Sequence, residues 1–233
     1  VIGYHGNQLR WYDDLVGGPA RTNQFNPRFL NLVGTRYLIG PANAFPEGYF
    51  GPKPVVPAIS FGQVSILRNE NALPRAFFVD SFRVIPERKD ITPLILNGSS
   101  DLRTLAYFEE DPGMPPSTPS PSDSAWVISH AVDSVLVGVN CAHDRLMVLT
   151  DVYYESWHIT IDGNPAKLLR ADEAFRGVVV PRGSKEVKFT YNSPRYRTGR
   201  LITWLTSLYV LVIIGLYVIP GLRKAPTGKP SES

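Results

Sequence analysis

From Leu201 to Leu222 the chain reads LITWLTSLYVLVIIGLYVIPGL, an uncharged and mostly apolar run bounded by Arg200 on one side and Arg223-Lys224 on the other. As a helix rising about 1.5 Å per residue it spans about 33 Å, against roughly 30 Å for a bilayer core. The run predicts a transmembrane helix over 199–222, so the residues before it must fold in water beside a membrane. A buried core helix is the competing reading. Apolar residues on every face, with Trp204, Tyr209, Tyr217 and basic residues at both ends as interfacial anchors, favour the span. Arg195, Arg197 and Arg200 flank one end and Arg223, Lys224 and Lys229 the other, so charge alone does not orient it. Residues 223–233, rich in Pro, Ser, Gly and Lys, read as a disordered basic tail.

The 233 residues, 43% hydrophobic and 19% charged, leave room for one or two globular units before the span. The net charge of +3 is modest, and part of it sits beside the span. No basic patch with interleaved aromatics, zinc-finger spacing or Gly-rich phosphate loop is present, so no nucleic-acid partner is expected. The single cysteine, Cys141, excludes an intramolecular disulfide framework. The first residue is Val1, and a water-facing domain held only by a C-terminal span needs something upstream to place it outside a cell. The expectation is the C-terminal portion of a longer protein.

Before the span the pattern divides in two. Residues 1–108 read as a mixed α/β subdomain. Leu9, Tyr12, Leu15 and Val16 keep helical spacing, with Asn7 as cap and Gly17-Gly18 as stop. Asn26-Pro27 opens a second helix through Phe29, Leu30, Leu32 and Val33, ended by Gly34. Arg36–Ile39 reads as a strand, 40–58 as an extended loop, and 63–68 and 76–85 as a strand pair turned at 69–74. Residues 109–124, dominated by Pro and Ser, form a linker or loop. From there 125–198 predicts a β-sandwich of about seven antiparallel strands: 125–130, 134–139, 146–152, 157–161, 166–170, 175–180 and 185–191. Trp157 to Ile161 and Glu186 to Tyr191 alternate, with Val187, Phe189 and Tyr191 facing inward. Asp162-Gly163 and Pro181-Arg182-Gly183 are expected to turn hairpins.

Residues suited to catalysis are sparse. The histidines, His5, His130, His143 and His158, form no HExxH pair, and no GxSxG elbow exists. Cys141-Ala-His143-Asp144 is short of the three or four ligands of a zinc site and reads as a polar loop, so no metal or cofactor is expected. Asp13 and Asp14 diverge by about 100° on a helix, which suits a solvated face better than a shared substrate. Tyr4, Trp11, Tyr12, Tyr153, Tyr154 and Trp157 can stack on sugar rings or plug a core. Trp157 reads as core, while Tyr4 and Trp11 are open to either. Arg10 or Arg75 can hold a phosphate. Tyr4, His5, Arg10, Trp11 and Arg75 are thus the candidate substrate-binding residues, and no nucleophile, base and orienter can be named together.

Tyr153-Tyr154-x-x-Trp157, Asp162-Gly163, Ala174-Phe175-Arg176 before a Val-Pro-x-Gly turn, and Phe189-x-Tyr191 before a span resemble the C-terminal end of the YfhO family of bacterial multi-pass membrane proteins. Upstream, Gly3-Tyr-His5, residues 30–39 and Asn71-Ala-Leu-Pro-Arg75 resemble it in the same order. The resemblance implies a relation to GT-C glycosyltransferases, with sugar transfer from a polyprenyl-phosphate sugar donor to a cell-envelope acceptor. It also implies a bacterial cell membrane location, with residues 1–200 extracytoplasmic and the tail cytoplasmic. The acidic catalytic residue of that class lies in an early loop that this stretch does not contain, so the region is expected to assist transfer without being catalytic alone. Its implied partners are the bilayer, a glycan or lipid-linked sugar, and the N-terminal transmembrane region of the same protein. The alternative is a non-enzymatic, membrane-anchored β-sandwich that binds carbohydrate or protein.

Overall fold

The computed structural model describes residues 9–223, which divide after Tyr191 into two compact units. In the first, helix α1 (Arg10–Val16) ends where Gly17, at φ 100°, donates its N–H to the carbonyls of Asp13 and Asp14. A Cβ at Gly17 would lie 2.6 Å from the Thr22 amide, so this stop requires glycine. The cap expected from Asn7 lies outside the described residues. Helix α2 (Pro27–Leu32) starts as its sequence dictates: Asn26 Oδ1 accepts from the amides of Arg28 at 2.9 Å and Phe29 at 3.2 Å, with Pro27 first in the helix.

Strands β1 (Tyr37–Gly40), β2 (Val55–Phe61) and β3 (Val64–Asn69) form a small antiparallel sheet in the order β1-β3-β2. Next come β4 (Ala76–Val79), β5 (Ser81–Val84), helix α3 (Ile91–Asn97) and β6 (Leu105–Phe108). After residues 109–123 follow β7 (Ser124–His130), β8 (Ser134–Asn140), β9 (Arg145–Val152), β10 (Trp157–Ile161), β11 (Asn164–Ala166), β12 (Leu169–Ala171), β13 (Phe175–Val180) and β14 (Glu186–Tyr191). They build two further sheets, a six-stranded one ordered β4-β9-β13-β12-β6-β5 and a five-stranded one ordered β11-β10-β14-β8-β7.

The six-stranded sheet is covered on both faces, and its composition says why. In β9 the run Leu146-Met-Val-Leu149 is apolar at every position, the mark of a strand buried on both sides. Leu146 and Val148 join Leu15, Phe29, Leu32, Ile91 and Ile95 of the three helices in one core. Met147 and Leu149 join Val137, Ile159, Val187 and Phe189 of the five-stranded sheet in the other. The outer strands β10 and β14 alternate instead, because only one of their faces is covered. The result is an α+β region continuous with a β-sandwich.

Several expectations are corrected. Residues 76–85 do not pair with 63–68. They split at Asp80 into β4, antiparallel to β9, and β5, parallel to β6. The extended loop ends at β2, which takes the place of that partner. The segment 166–170 breaks into β11 and β12, which belong to different sheets, so the sandwich gains a strand. Asp162 and Gly163, at φ 48° and 84°, do turn the β10–β11 hairpin. Pro181-Arg-Gly183 instead carries the chain from one sheet to the other.

Residues 109–124 do not divide two domains, since β4, β5 and β6 before them share a sheet with β9, β12 and β13 after them. The segment is strapped down by a buried charge. The Arg145 guanidinium, 2% exposed, reaches Asp80 at 2.7 Å and Asp123 at 3.2 Å. Asp123 also accepts from the amides of Ser120 and Ala142. A buried arginine requires its carboxylates, and one of them comes from this loop.

The second unit is helix α4 (Pro194–Arg223), long and apolar enough to cross a bilayer. It starts before residue 199, with Pro194 in its first turn and Ser193 Oγ accepting from the Tyr196 amide at 3.3 Å.

Candidate functional site

The C-terminal end of β9 and the β12–β13 turn bring arginines, aromatic rings and carboxylates together. Arg176, on β13, is nearly buried, and its guanidinium stacks 3.7 Å from the centroid of the Trp157 ring. Its Nε donates to the Val152 carbonyl at 3.1 Å, and Asp151 Oδ2 lies 3.7 Å from Nη1. Burial lowers its pKa to about 10, with Asp151 opposing the shift, so the group keeps its charge at neutral pH. Asp151 also receives Arg75 Nη1 at 3.2 Å, and His130 Nε2 lies 3.0 Å from both the carboxylate and Arg75. On the neighbouring strand β12, paired with Arg176, Arg170 sits between two rings, 4.7 Å from Trp11 and 4.6 Å from Tyr153, and its Nη1 donates to Glu109 at 2.9 Å. Trp11 Nε1 donates to the Tyr153 carbonyl at 3.0 Å, which docks α1 on the sheet.

Between β12 and β13 stand two buried acids in left-handed backbone, Asp172 at φ 45° and Glu173 at φ 68°. Asp172 Oδ1 accepts from the Tyr107 amide at 2.8 Å, while its Oδ2 has no hydrogen-bond partner among the described residues. Burial pushes its pKa up to about 7, against the lowering effect of that hydrogen bond. Glu173 accepts from the Thr92 hydroxyl and faces Arg88 Nε at 3.3 Å. Its pKa is also raised, by burial first, with Thr92 and Arg88 pulling the other way. Arg88 continues to Asp14 at 3.3 Å. Both acids are shut off from solvent, so they organise the turn and offer no surface to a substrate.

The sequence candidates are distributed unevenly around this cluster. Trp11 and Arg75 lie in it, both engaged. Arg10 is exposed on α1 with Asp14 at 3.9 Å. Tyr4 and His5 fall outside the described residues. Asp14 is an ion-pair partner and Trp157 a half-buried ring packed on the core, under Arg176. Cys141 is buried, its thiol donating to the Pro181 carbonyl, and Asp144 accepts from the Arg182 amide. Among the described residues no cluster of metal-ligating side chains forms. Arg170, Asp172 and Glu173 were missed. The available signal was a strand-to-strand turn that carries two acids where Gly or Asn is usual.

A second site is open. A groove of about 380 Å³ lies between helix α2, the 48–53 loop, Asn71 and Leu73, and residues 101–103. Its floor carries Leu32, Phe50 and Leu73, and Tyr49 stands at its edge, stacked 5.4 Å from Phe45. Three asparagines fix its wall. Asn69 donates to Asn31 Oδ1 at 2.8 Å, Asn31 donates to the Phe50 carbonyl, and Asn71 both donates to the Lys53 carbonyl and accepts from the Lys53 amide. Gly51 is held at φ 136°, where a Cβ would approach Asn71 Oδ1 to 2.8 Å, so the backbone lies against the amide. Arg28, Lys53 and Arg103 supply positive charge and Asp101 one negative charge. Arg28 spends its guanidinium on the carbonyls of Ile95 and Ser100. None of the three cations has a carboxylate partner among the described residues. The geometry suits a ring laid on Tyr49 with an anionic group beside the cations.

Residues 123–203 match the family described as bacterial membrane protein YfhO. The chain is also similar to the uncharacterized protein YfhO of Bacillus subtilis (strain 168), 21% identical over 132 residues, which are 56% of this chain and 15% of that protein. The aligned stretch is thus a small part of the relative's length. No solved structure matches the chain. The matched stretch holds Tyr153, Trp157, Arg170, the Asp172-Glu173 turn and Arg176, and it runs into the apolar helix, so residues 123–203 are a region of the YfhO family of bacterial membrane proteins.

Proposed function

We propose that this chain is the outward-facing C-terminal region of a membrane glycosyltransferase-like protein, and that its groove holds a phosphorylated sugar beside the membrane while other parts of the protein carry out transfer. The observation that carries this reading is the groove itself: an aromatic edge and two cations, Lys53 and Arg103, without carboxylate partners among the described residues line one cavity. A sugar ring stacks on an aromatic face and a phosphate takes charge-assisted hydrogen bonds from Arg and Lys. The deeply buried acids Asp172 and Glu173 cannot reach a ligand, which supports a holding role over a catalytic one for this region. The donor proposed for the whole protein is a polyprenyl-phosphate sugar, and the acceptor a cell-envelope glycan.

Titration of the chain, reconstituted in zwitterionic nanodiscs, with a hexose 1-phosphate tests the reading. Saturable binding is expected, weakened about tenfold by Lys53→Ala with Arg103→Ala, and the free hexose should bind far less tightly. Equal binding of hexose and hexose phosphate, or no loss in the variant, overturns it. The alternative, a non-enzymatic carbohydrate- or protein-binding module, uses the same groove. It is separated by assaying sugar transfer in the longer protein with and without the groove substitutions.

A further inference from the structure

The three-stranded sheet has one buried face and one naked face. Ser65, Leu67 and Asn69 of β3 point inward and are buried. On the other face Ile66 is flanked by Ile39 of β1 and Ile59 of β2, and Val64 lies opposite Phe61. Ile39 is 80% exposed, Phe61 65% and Ile59 52%, with Tyr37 and Val64 exposed beside them. Contiguous apolar surface of this kind marks a contact site.

A bulge between Pro57 and Ile59 creates the arrangement. Strict alternation from Val55, which is level with the inward Asn69, would turn Ile59 and Phe61 inward. The extra residue shifts the phase, turning both outward and Ser60 inward, where its hydroxyl meets that of Ser65 at 2.9 Å. The hairpin therefore has inverted polarity, Ser60 and the buried Ser65 sharing one face and Ile59, Phe61 and Val64 the other. Residues 57–64 are all exposed, so the hairpin end stands clear of the rest of its unit.

We propose that this face, led by the β2–β3 hairpin, inserts into the interfacial layer of the lipid bilayer. Three observations select lipid as the occupant. First, only Asn192 and Ser193 separate β14 from the apolar helix α4, so the unit is tethered within a few residues of a membrane-spanning segment. The tether supplies a high effective concentration, and a few apolar side chains then suffice for contact. Second, the hairpin tip, Phe61-Gly-Gln-Val64, carries no charge, and Arg68 further along β3 is paired with Glu70. An uncharged apolar tip enters the interfacial layer without burying a charge. Third, Tyr37 is of the aromatic type that prefers the membrane interface, and Phe61 is an apolar side chain of the kind that interfacial elements bury. The inference does not depend on the groove.

The test uses the whole chain reconstituted in liposomes of phosphatidylethanolamine and phosphatidylglycerol. A nitroxide is placed on Val64→Cys, or on Gln63→Cys should the first fold poorly, with Cys141 replaced by Ala and a second label position at the fully exposed Val132 as the aqueous reference. Oxygen is expected to relax the hairpin label more than a water-soluble nickel chelate does, and the Val132 label to show the reverse. Ile59→Ser with Phe61→Ser should return the hairpin label to the aqueous pattern. A nickel-accessible hairpin label overturns the proposal. So does a label shielded from both reagents, which would place the face against protein, either another part of the longer chain or a second copy.

Discussion

Two basic regions of this unit differ in how their charges are used. Around Tyr153, Arg170 is held between two rings and bound to Glu109, and Arg176 lies on Trp157 beside Asp151. At the groove, Arg28 is turned to backbone carbonyls, but Lys53 and Arg103 face the cavity without carboxylate partners among the described residues. The first arrangement consumes its cations in joining α1 to the sheet and β9 to β13. The second leaves charge free for something outside the chain. Aromatic and basic residues in a sequence therefore point to binding only where the fold leaves them unspent, and the family-matched stretch is here the one that has spent them.

The sharpest break of that comparison is removal of a spent cation. Arg176→Ala takes a buried charge from between Asp151 and Trp157 and should cost about 3 kcal/mol or more, read as a lowered urea midpoint in detergent. A loss under about 0.5 kcal/mol would put Arg176 on the same footing as the groove cations.

Asp172 gives a comparable effect with an unusual sign. Its folded pKa of about 7 lies above the ordinary value of 3.8, so between those limits the folded state holds the proton and the unfolded state has lost it. Stability from this group is full below about pH 4, falls as pH rises, and levels off above about 7. Asp172→Asn should flatten that slope while keeping the acceptor for the Tyr107 amide. An unchanged slope from unfolding curves at several pH values would assign it to another group.

Packing supplies a smaller contrast. A Cβ at Gly177 would come 2.6 Å from the buried Phe108 ring, whereas one at Gly138 would meet Trp126, a ring half exposed on an edge strand and able to move. Gly177→Ala should cost about 1–3 kcal/mol and Gly138→Ala less, by thermal unfolding of each. The smallest effect on stability belongs to Lys53→Ala with Arg103→Ala, within about 0.5 kcal/mol of the parent, as for surface changes generally. A larger loss would show that the groove cations are structural after all.

What could be read in advance follows a physical line. Asn26-Pro27, Gly17 and Asp162-Gly163 were legible because each acts on backbone within a few residues. The alternation of β10 and β14 was legible because one face of each meets solvent. Partnership was not: nothing local in Ala76–Val79 says that it pairs with β9 some seventy residues later, and an apolar run such as Leu146–Leu149 gives a strand without naming what covers either face. The Pro/Ser segment looked free because its composition is polar, and only the buried Arg145 reveals why Asp123 is pinned. Trp11 and Arg75 were singled out for ligand chemistry that their rings and charges also offer to Arg170 and Asp151. The groove went unread because its residues come from four distant stretches, none of which is remarkable alone.

The pairing of β4 with β9 also bears on how the protein can be cut. A fragment starting at residue 123, where the family match begins, would deprive β9 of one neighbour and β12 of β6, and would uncover the side of the sheet that α1, α2 and α3 bury. Such a piece would present unpaired strand edges and bare apolar side chains, the ingredients of aggregation during synthesis. The stretch recognisable by descent and the stretch able to fold are different lengths. The part before the apolar helix is expected to express in folded form only when the N-terminal strands are kept.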